Sequence, residues 1–263
     1  MREGMTTIPA LRVGPVRVHD LDFRAAAEEV LRLAEAEAGE RSVVVTPNGQ
    51  HLDLLRTSAN LRKAYESAEL VLPDGWPVVL AMKWRGATAG VRVTGADLLP
   101  ALCAKAAERG VPVGFLGGMP GVAARAAERL AQQHPGLKVE LVHSPPVGFE
   151  RDERECRRLA EVVADSGARL LFLGLGAPKQ EDLAHRWLRA SGPGVSVCVG
   201  AAIDFVVGEQ VRAPKIWQDL GMEWAYRMLG DPRRLVGRYA RTMPVILRVL
   251  GEAGADRVLR RTR

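Results

Sequence analysis

The sequence predicts an α/β fold, a Rossmann-like and mostly parallel sheet flanked by helices, with a basic helical appendage at its C-terminal end. Three observations carry this expectation. Short aliphatic runs such as Val43-Val44-Val45 and Leu70-Val71-Leu72 alternate with helix-period segments through about residue 205, the pattern of strand–helix–strand units. The runs read as strands buried on both faces, as a parallel sheet covered by helices requires. No Ser-rich linker or internal repeat interrupts them, whereas the charge balance changes after residue 209. Residues 1–209 are therefore assigned to the α/β domain and 210–263 to the appendage.

Residues 1–14 show no period and read as a frayed start. Val16-Arg17-Val18 is a short strand, and Asp22 caps a helix running to about Ala38, with Ala26, Val30 and Leu31 on its apolar face. Asp20-Leu21-Asp22 spells D-x-D, a metal-holding pattern in many sugar-nucleotide enzymes. Here the second acid stands where an N-cap is wanted, so the cap is preferred.

The strand 42–45 leads through Thr46-Pro47-Asn48-Gly49 into a helix over 50–57. Two hydrogen-bonding side chains and a glycine at that point suit a hydroxyl-rich ligand; an ordinary strand-to-helix turn accounts for the same residues. His51, one turn in, can face the same crevice or be structural. The next run ends in Pro73-Asp74-Gly75-Trp76-Pro77. An acid at the carboxyl end of a strand lies on the rim where open α/β sheets hold ligands, and there it can serve as a general base. It can equally cap the helix that follows.

Arg92-Val93-Thr94-Gly95-Ala96-Asp97 opens a helix to Arg109 with a box-like Thr94/Asp97 pair. Arg92 is placed either to bind a phosphate at that helix start or to be solvated. A strand over 111–116, the turn Gly117-Gly118-Met119-Pro120-Gly121 and a helix over 122–133 come next. A strand over 138–142, a helix over 150–165 and a strand over 169–173 follow. Gly174-Leu175-Gly176-Ala177-Pro178-Lys179-Gln180-Glu181 then enters another helix, and the last strand, 195–199, ends in Gly200-Ala201-Ala202-Ile203-Asp204-Phe205. Both glycine turns have the geometry for phosphate or ribose approach, yet neither completes G-x-G-x-x-G. No acid stands about 20 residues beyond the second for a dinucleotide ribose, so an NAD-dependent oxidoreductase is a poorly supported rival.

In the appendage, Arg212-Ala213-Pro214-Lys215 is turn-like and residues 222–229 are helical. Asp231-Pro232 caps a long helix. That helix places Val236, Tyr239, Met243, Ile246 or Leu247, and Leu250 near one face, and Arg234, Arg238 and Arg241 on another. Pro244 should kink it. Such a helix can lie in a membrane interface or pack on the domain with its arginines solvated.

Composition bounds the function. At 263 residues, 47% hydrophobic and 26% charged, the chain is an ordinary globular one with a sizeable core. The cysteines Cys103, Cys156 and Cys198 form no C-x-x-C pair, which implies no disulfide framework or zinc knuckle and fits a reducing cytosol. No signal-peptide core and no apolar run of about 18 residues are found. Residues 210–263 carry a balance of +7 against −1 for the preceding 209. A one-sign tail implies an anionic partner: nucleic acid, an acidic membrane surface or a diphosphate, with nucleic acid the weakest of the three because no RNA- or DNA-reading motif accompanies the arginines. A membrane-associated nucleotide-binding module without catalysis is the other rival.

Taken together, the segments resemble the WecG/TagA/CpsF family of bacterial glycosyltransferases (N-acetylmannosaminyltransferase-like, glycosyltransferase family 26). The matching stretches are Thr46-Pro47-Asn48, Pro73-Asp74-Gly75, Arg92-Val93-Thr94-Gly95 with Asp97, and Gly174 to Glu181. Gly200-Ala201 with Asp204-Phe205, Arg212-Ala213-Pro214, and Glu223-Trp224 with Tyr226-Arg227 complete the set, in the family's order. The resemblance implies an inverting, metal-independent transfer from a UDP-sugar, typically UDP-N-acetylmannosamine, with no cofactor. It implies a polyprenyl-diphosphate-linked sugar as acceptor, in the synthesis of teichoic acid, common antigen, capsule or exopolysaccharide. Asp74 would be the base, with Thr46, Asn48, Arg92 and Gln180 around donor and acceptor. Gly174, Gly176, Asp204 and Arg212 would also belong to the substrate site. Arg227 and Arg234, with Arg238, would bind the diphosphate. The protein would work in the cytoplasm, held peripherally on the membrane by its appendage, alone or as a homo-oligomer. In one departure, Gly237-Arg238 stands where the family commonly has two arginines before the tyrosine at the Tyr239 position.

Overall fold

Five short apolar runs and the half-exposed edge segment 139–143 become six parallel strands, because a hydrogen-bonded sheet satisfies the backbone that such runs bury. A computed structural model of the chain describes residues 8–37 and 41–261. A hairpin comes first, β1 (Ala10–Val13) and β2 (Val16–His19), then α1 (Phe23–Glu35) and β3 (Ser42–Val45). Next are α2 (Gly49–Thr57), α3 (Ala59–Ser67), β4 (Leu70–Val71), α4 (Trp76–Trp84) and α5 (Gly95–Arg109). The centre of the chain supplies β5 (Val113–Gly117), α6 (Val122–Gln133), β6 (Val139–His143), α7 (Glu153–Asp165) and β7 (Leu170–Gly174). α8 (Lys179–Leu183) continues through a π-helical turn, Ala184–Leu188, into α9 (Arg189–Ser191), followed by β8 (Val195–Cys198) and α10 (Ala202–Val207). The C-terminal segment is α11 (Lys215–Asp219), α12 (Glu223–Gly230) and the 30-residue α13 (Pro232–Arg261).

The six-stranded sheet has the order β4-β3-β8-β7-β5-β6, and every pair in it is parallel. Alternate residues divide between two cores. Phe115 and Phe172, stacked at 5.4 Å, face α1, α5, α6 and α10, while Leu171 and Leu173 face α2, α3, α4 and α7. The connection after β5 leads outward to β6, whereas the one after β7 leads back to β8. Strand order therefore reverses between the carboxyl ends of β5 and β7, where a ligand crevice is expected. The two ends meet backbone to backbone there: a Cβ at Gly117 (φ 140°) would lie 2.3 Å from the Gly174 carbonyl oxygen.

Several expectations are corrected. Residues 10–13 are not frayed but pair antiparallel with β2 around a turn at Gly14 (φ 55°), and Val13, Val16 and Val18 are buried. A four-residue strand shows almost no period by itself; it is ordered by the core beneath it. Residues 1–7 and Ala38 lie outside the described residues, and α1 ends at Glu35. The helix expected from residue 150 starts at Glu153, capped by Asp152, after a 3₁₀ turn at Phe149–Arg151. α13 runs through Pro244 as one helix. α13 buries Leu235, Thr242, Val245, Val249 and Ala253, while Val236, Met243 and Leu247, from the face expected either to meet a membrane or to pack on the domain, are exposed. Two adjacent stripes are apolar, so periodicity could not choose between them. Packing on α2 and α4 chose, with Gly49 letting Ile246 approach to within 2.9 Å of where a Cβ would stand.

Candidate active site

The turn bearing Asp74 is built from three directions. Leu72 N–H donates to the Val45 carbonyl at 2.9 Å, Asp74 and Gly75 N–H both donate to the Pro47 carbonyl at 3.2 and 3.1 Å, and Val93 N–H donates to the Pro73 carbonyl at 2.7 Å. The approach of the two loops is so close that a Cβ at Gly75 would lie 2.7 Å from Asn48 Cα. The N-cap position of α4 is Gly75, one residue after Asp74. Asp74 is half-buried and lines a cleft of about 1070 Å³, large for a small-molecule site.

Thr46 and Asn48 lie in the same cleft, at the carboxyl end of β3. The buried Thr46 hydroxyl donates to the Cys198 carbonyl at 3.1 Å, leaving its lone pairs to accept. Asn48 is the N-cap of α2, its Oδ1 accepting from Gln50 N–H (3.0 Å) and His51 N–H (3.4 Å). With Oδ1 so engaged, its NH2 group is turned the other way, and it has no partner among the described residues. Capping and lining the cleft are thus one arrangement.

Gln180, Gly174 and Gly176 line the cleft from the β7 side. Gln180 Oε1 accepts from Gly200 N–H at 3.1 Å, and its NH2 donates to Glu181 Oε1 at 2.8 Å. Asp204 lies beyond, accepting from the Gln210 NH2 at 2.9 Å. Burial pushes the Asp204 carboxyl above the usual carboxylate range, against the Gln210 hydrogen bond and with help from nearby Glu209.

The C-terminal segment roofs the cleft. Arg212 binds Asp97 with both terminal nitrogens, at 2.6 and 2.8 Å. Burial works to raise the Asp97 carboxyl, but the hydrogen bonds from Arg212 and Thr94 outweigh it and hold the group below its ordinary value. Thr94 caps α5 as expected, although the Asp97 carboxylate accepts from the Thr94 hydroxyl (2.7 Å) and not from the Thr94 backbone N–H. Arg238 lines the cleft and donates to Gln50 Oε1 at 3.1 Å. Arg92 does not line the cleft; it pairs with Glu223 at 3.2 Å, and Glu223 does line it. The side chains of Arg227 and Arg234 lie outside the described residues.

Neither acid of the D-x-D sequence meets the other's partners. Asp20 is buried and accepts from Thr88 N–H (2.6 Å) and Gly90 N–H (2.9 Å), whereas Asp22 caps α1 through Ala25 N–H (2.7 Å). Among the described residues no group of three or more His, Cys, Asp or Glu is placed to hold a metal ion.

Two features escaped the sequence reading. Glu181, fully buried, lies 3.3 Å from His51 Nε2; only its position beside Gln180 in the glycine-turn segment hinted at a role. Trp76, directly after the Asp74 turn, rests on Gly221 so closely that a Cβ there would fall 2.1 Å from the indole. Nothing local signals that contact.

A parallel sheet with a polar cleft at its topological switch point, the rim acid Asp74 and an arginine-bearing roof make an α/β protein with its ligand site at the strand ends. The model of the Glycosyl transferase WecG/TagA/CpsF family matches residues 11–257, and the chain belongs to that family. It is accordingly a glycosyltransferase of cell-surface polysaccharide synthesis, a class that uses a sugar-nucleotide donor and a lipid-linked acceptor.

Proposed function

We propose that the protein transfers a sugar, N-acetylmannosamine or a close relative, from a UDP-sugar to a polyprenyl-diphosphate-linked sugar, with inversion and without a metal. The observation that carries this reading is that Asp74 shares one cleft with Thr46, Asn48 and Gln180 at the sheet's switch point. Inversion needs a base on the acceptor hydroxyl while UDP departs from the opposite face. Asp74 supplies the base, held by backbone bonds from two neighbouring loops. Asn48 NH2 and Thr46 Oγ1 offer a donor and an acceptor to sugar hydroxyls. The glycine-floored crevice at Gly174 and Gly176 takes the nucleotide, with Asp204 a hydrogen-bonding partner for its hydroxyls.

The departing diphosphate gathers negative charge, and guanidinium groups stabilise it best because they bind phosphate bidentately. Arg238 lines the cleft, and Arg227 and Arg234 are proposed to join it. Arg92 and Arg212 reach the substrates if Glu223 and Asp97 release them. The outward stripe of α13 supports docking on the inner membrane surface: Val236 and Leu247 are 50% and 63% exposed, and the exposed Arg241 and Arg248 flank that stripe. No helix among the described residues is long and apolar enough to cross a membrane.

The test is release of UDP when UDP-N-acetylmannosamine meets a short-chain lipid-diphosphate N-acetylglucosamine. Asp74→Asn should retain UDP-sugar binding and lose about 10²–10⁴-fold in kcat, the usual contribution of a general base. Near-normal turnover by that variant would remove Asp74 as the base.

A further inference from the structure

Behind the cleft wall, a hydrogen-bonded chain links three loops. It starts at Gly200 N–H, runs through the Gln180 carboxamide to Glu181 Oε1, and reaches the His51 ring and the Asn48 cap. Glu181 is 0% exposed and is absent from the cleft lining, so it cannot touch substrate. A carboxylate at such depth is costly, and its Oε2 has no partner among the described residues. The neighbouring Tyr65 hydroxyl is likewise buried and unpartnered there; burial first, then the negative charge of Glu181, keeps it firmly protonated. Stability alone gives no reason to keep a carboxylate here, since an apolar residue of similar volume would avoid the desolvation cost.

We propose that Glu181 is a positioning residue for glycosyl transfer, fixing the His51 ring and the Gln180 carboxamide so that Asn48 and Gln180 turn their N–H groups into the cleft. A carboxylate only accepts, so His51 Nε2 carries a hydrogen, toward Glu181. Nδ1 then faces the Asn48 cap, 3.3 Å from the backbone N–H and 2.9 Å from Oδ1. The same Glu181 oxygen takes one hydrogen of the Gln180 NH2, which settles that amide's orientation and leaves its second hydrogen for a ligand. One buried anion therefore orients side chains at the ends of both β3 and β7, the two sides of the cleft. This rests on transfer taking place in that cleft.

The experiment has two arms. In wild-type protein, ¹⁵N NMR of the histidine rings, with His51 assigned from its loss in His51→Gln, should show Nε2 protonated. A ring carrying its hydrogen on Nδ1 alone overturns the proposal, whether or not any sugar donor turns over. In the transfer assay, Glu181→Met should lower kcat per folded molecule by about 10²-fold, the cost of misplacing reacting groups by about an ångström. Its KM for donor should stay within about twofold of wild type, and Glu181→Gln, which keeps an acceptor oxygen, should fall between the two. A kcat for Glu181→Met close to wild type overturns the proposal. If that variant does not fold, Glu181→Gln and the wild-type spectrum decide.

Discussion

Asp74 and Asp20 are both acids, and they stand in opposite surroundings. Asp74 is half-buried beside a cleft; Asp20 is buried and spends its oxygens on the backbone and hydroxyl of the segment Thr88–Gly90. Burial acts to raise the Asp20 carboxyl, but the hydrogen bonds from Gly90, Thr88 and Ala89 prevail and depress it. A depressed carboxyl contributes stability that is full above its unfolded value and is lost as pH falls through the folded one. Asp20→Asn should therefore cost about 1–3 kcal/mol near pH 7, the price of breaking bonds to a charged acceptor. Urea titrations of wild type and variant should converge as pH drops below about 4. A gap that stays constant with pH would show that Asp20 acts through packing instead.

Elements bring these residues within reach of one another, and α13 does most of that work at the C-terminal end. Its buried stripe makes it part of the second core: Val245 and Val249 lie among the side chains of the hairpin, α2 and α4. Val249→Ala should destabilise the whole molecule by about 2 kcal/mol, from lost burial plus a partly filled cavity. A differential melt that loses α13 first while the sheet stays intact would contradict this. Gly237, on the same helix, has nothing within 4 Å of where a Cβ would stand. Gly237→Arg should fit, should gain about 0.5–1 kcal/mol of helix propensity, and should lower the KM for the diphosphate acceptor severalfold if Arg238 works alone in the present chain. The stretch from Arg212 to Glu223 acts as a strap, tied by Arg212–Asp97, Trp76 on Gly221, and Arg92–Glu223. Glu223→Gln weakens the last tie, and its effect on donor KM measures how far Arg92 is held back from substrate.

At the scale of the molecule, charge and apolar surface are segregated. The +7 balance beyond residue 209 and the outward stripe of α13 belong to one segment, so membrane binding should be both salt-dependent and lipid-dependent. Sedimentation with vesicles one-third anionic in lipid should capture the protein at low ionic strength and release most of it near 0.5 M salt, whereas purely phosphatidylcholine vesicles should capture little. Equal capture by both would locate the attraction in apolar contact alone. A ligand that binds only the folded state raises Tm, and UDP should do so where NAD does not. The reverse result would revive the dinucleotide reading.

The sequence by itself determined the strand–helix alternation, the two glycine turns, the caps at Asp22 and Thr94, and the rim acid. Each of these is set by residues within about one turn of one another, through sterics and local hydrogen bonds that need no knowledge of the rest of the chain. Tertiary structure decided the strand order, the first hairpin, which stripe of α13 faces inward, and the pairings of Glu181 with His51, Arg92 with Glu223 and Trp76 with Gly221. Those partners lie far apart in sequence. Their meeting depends on which buried faces find each other, a choice made by the free energy of the whole core and written in no single segment.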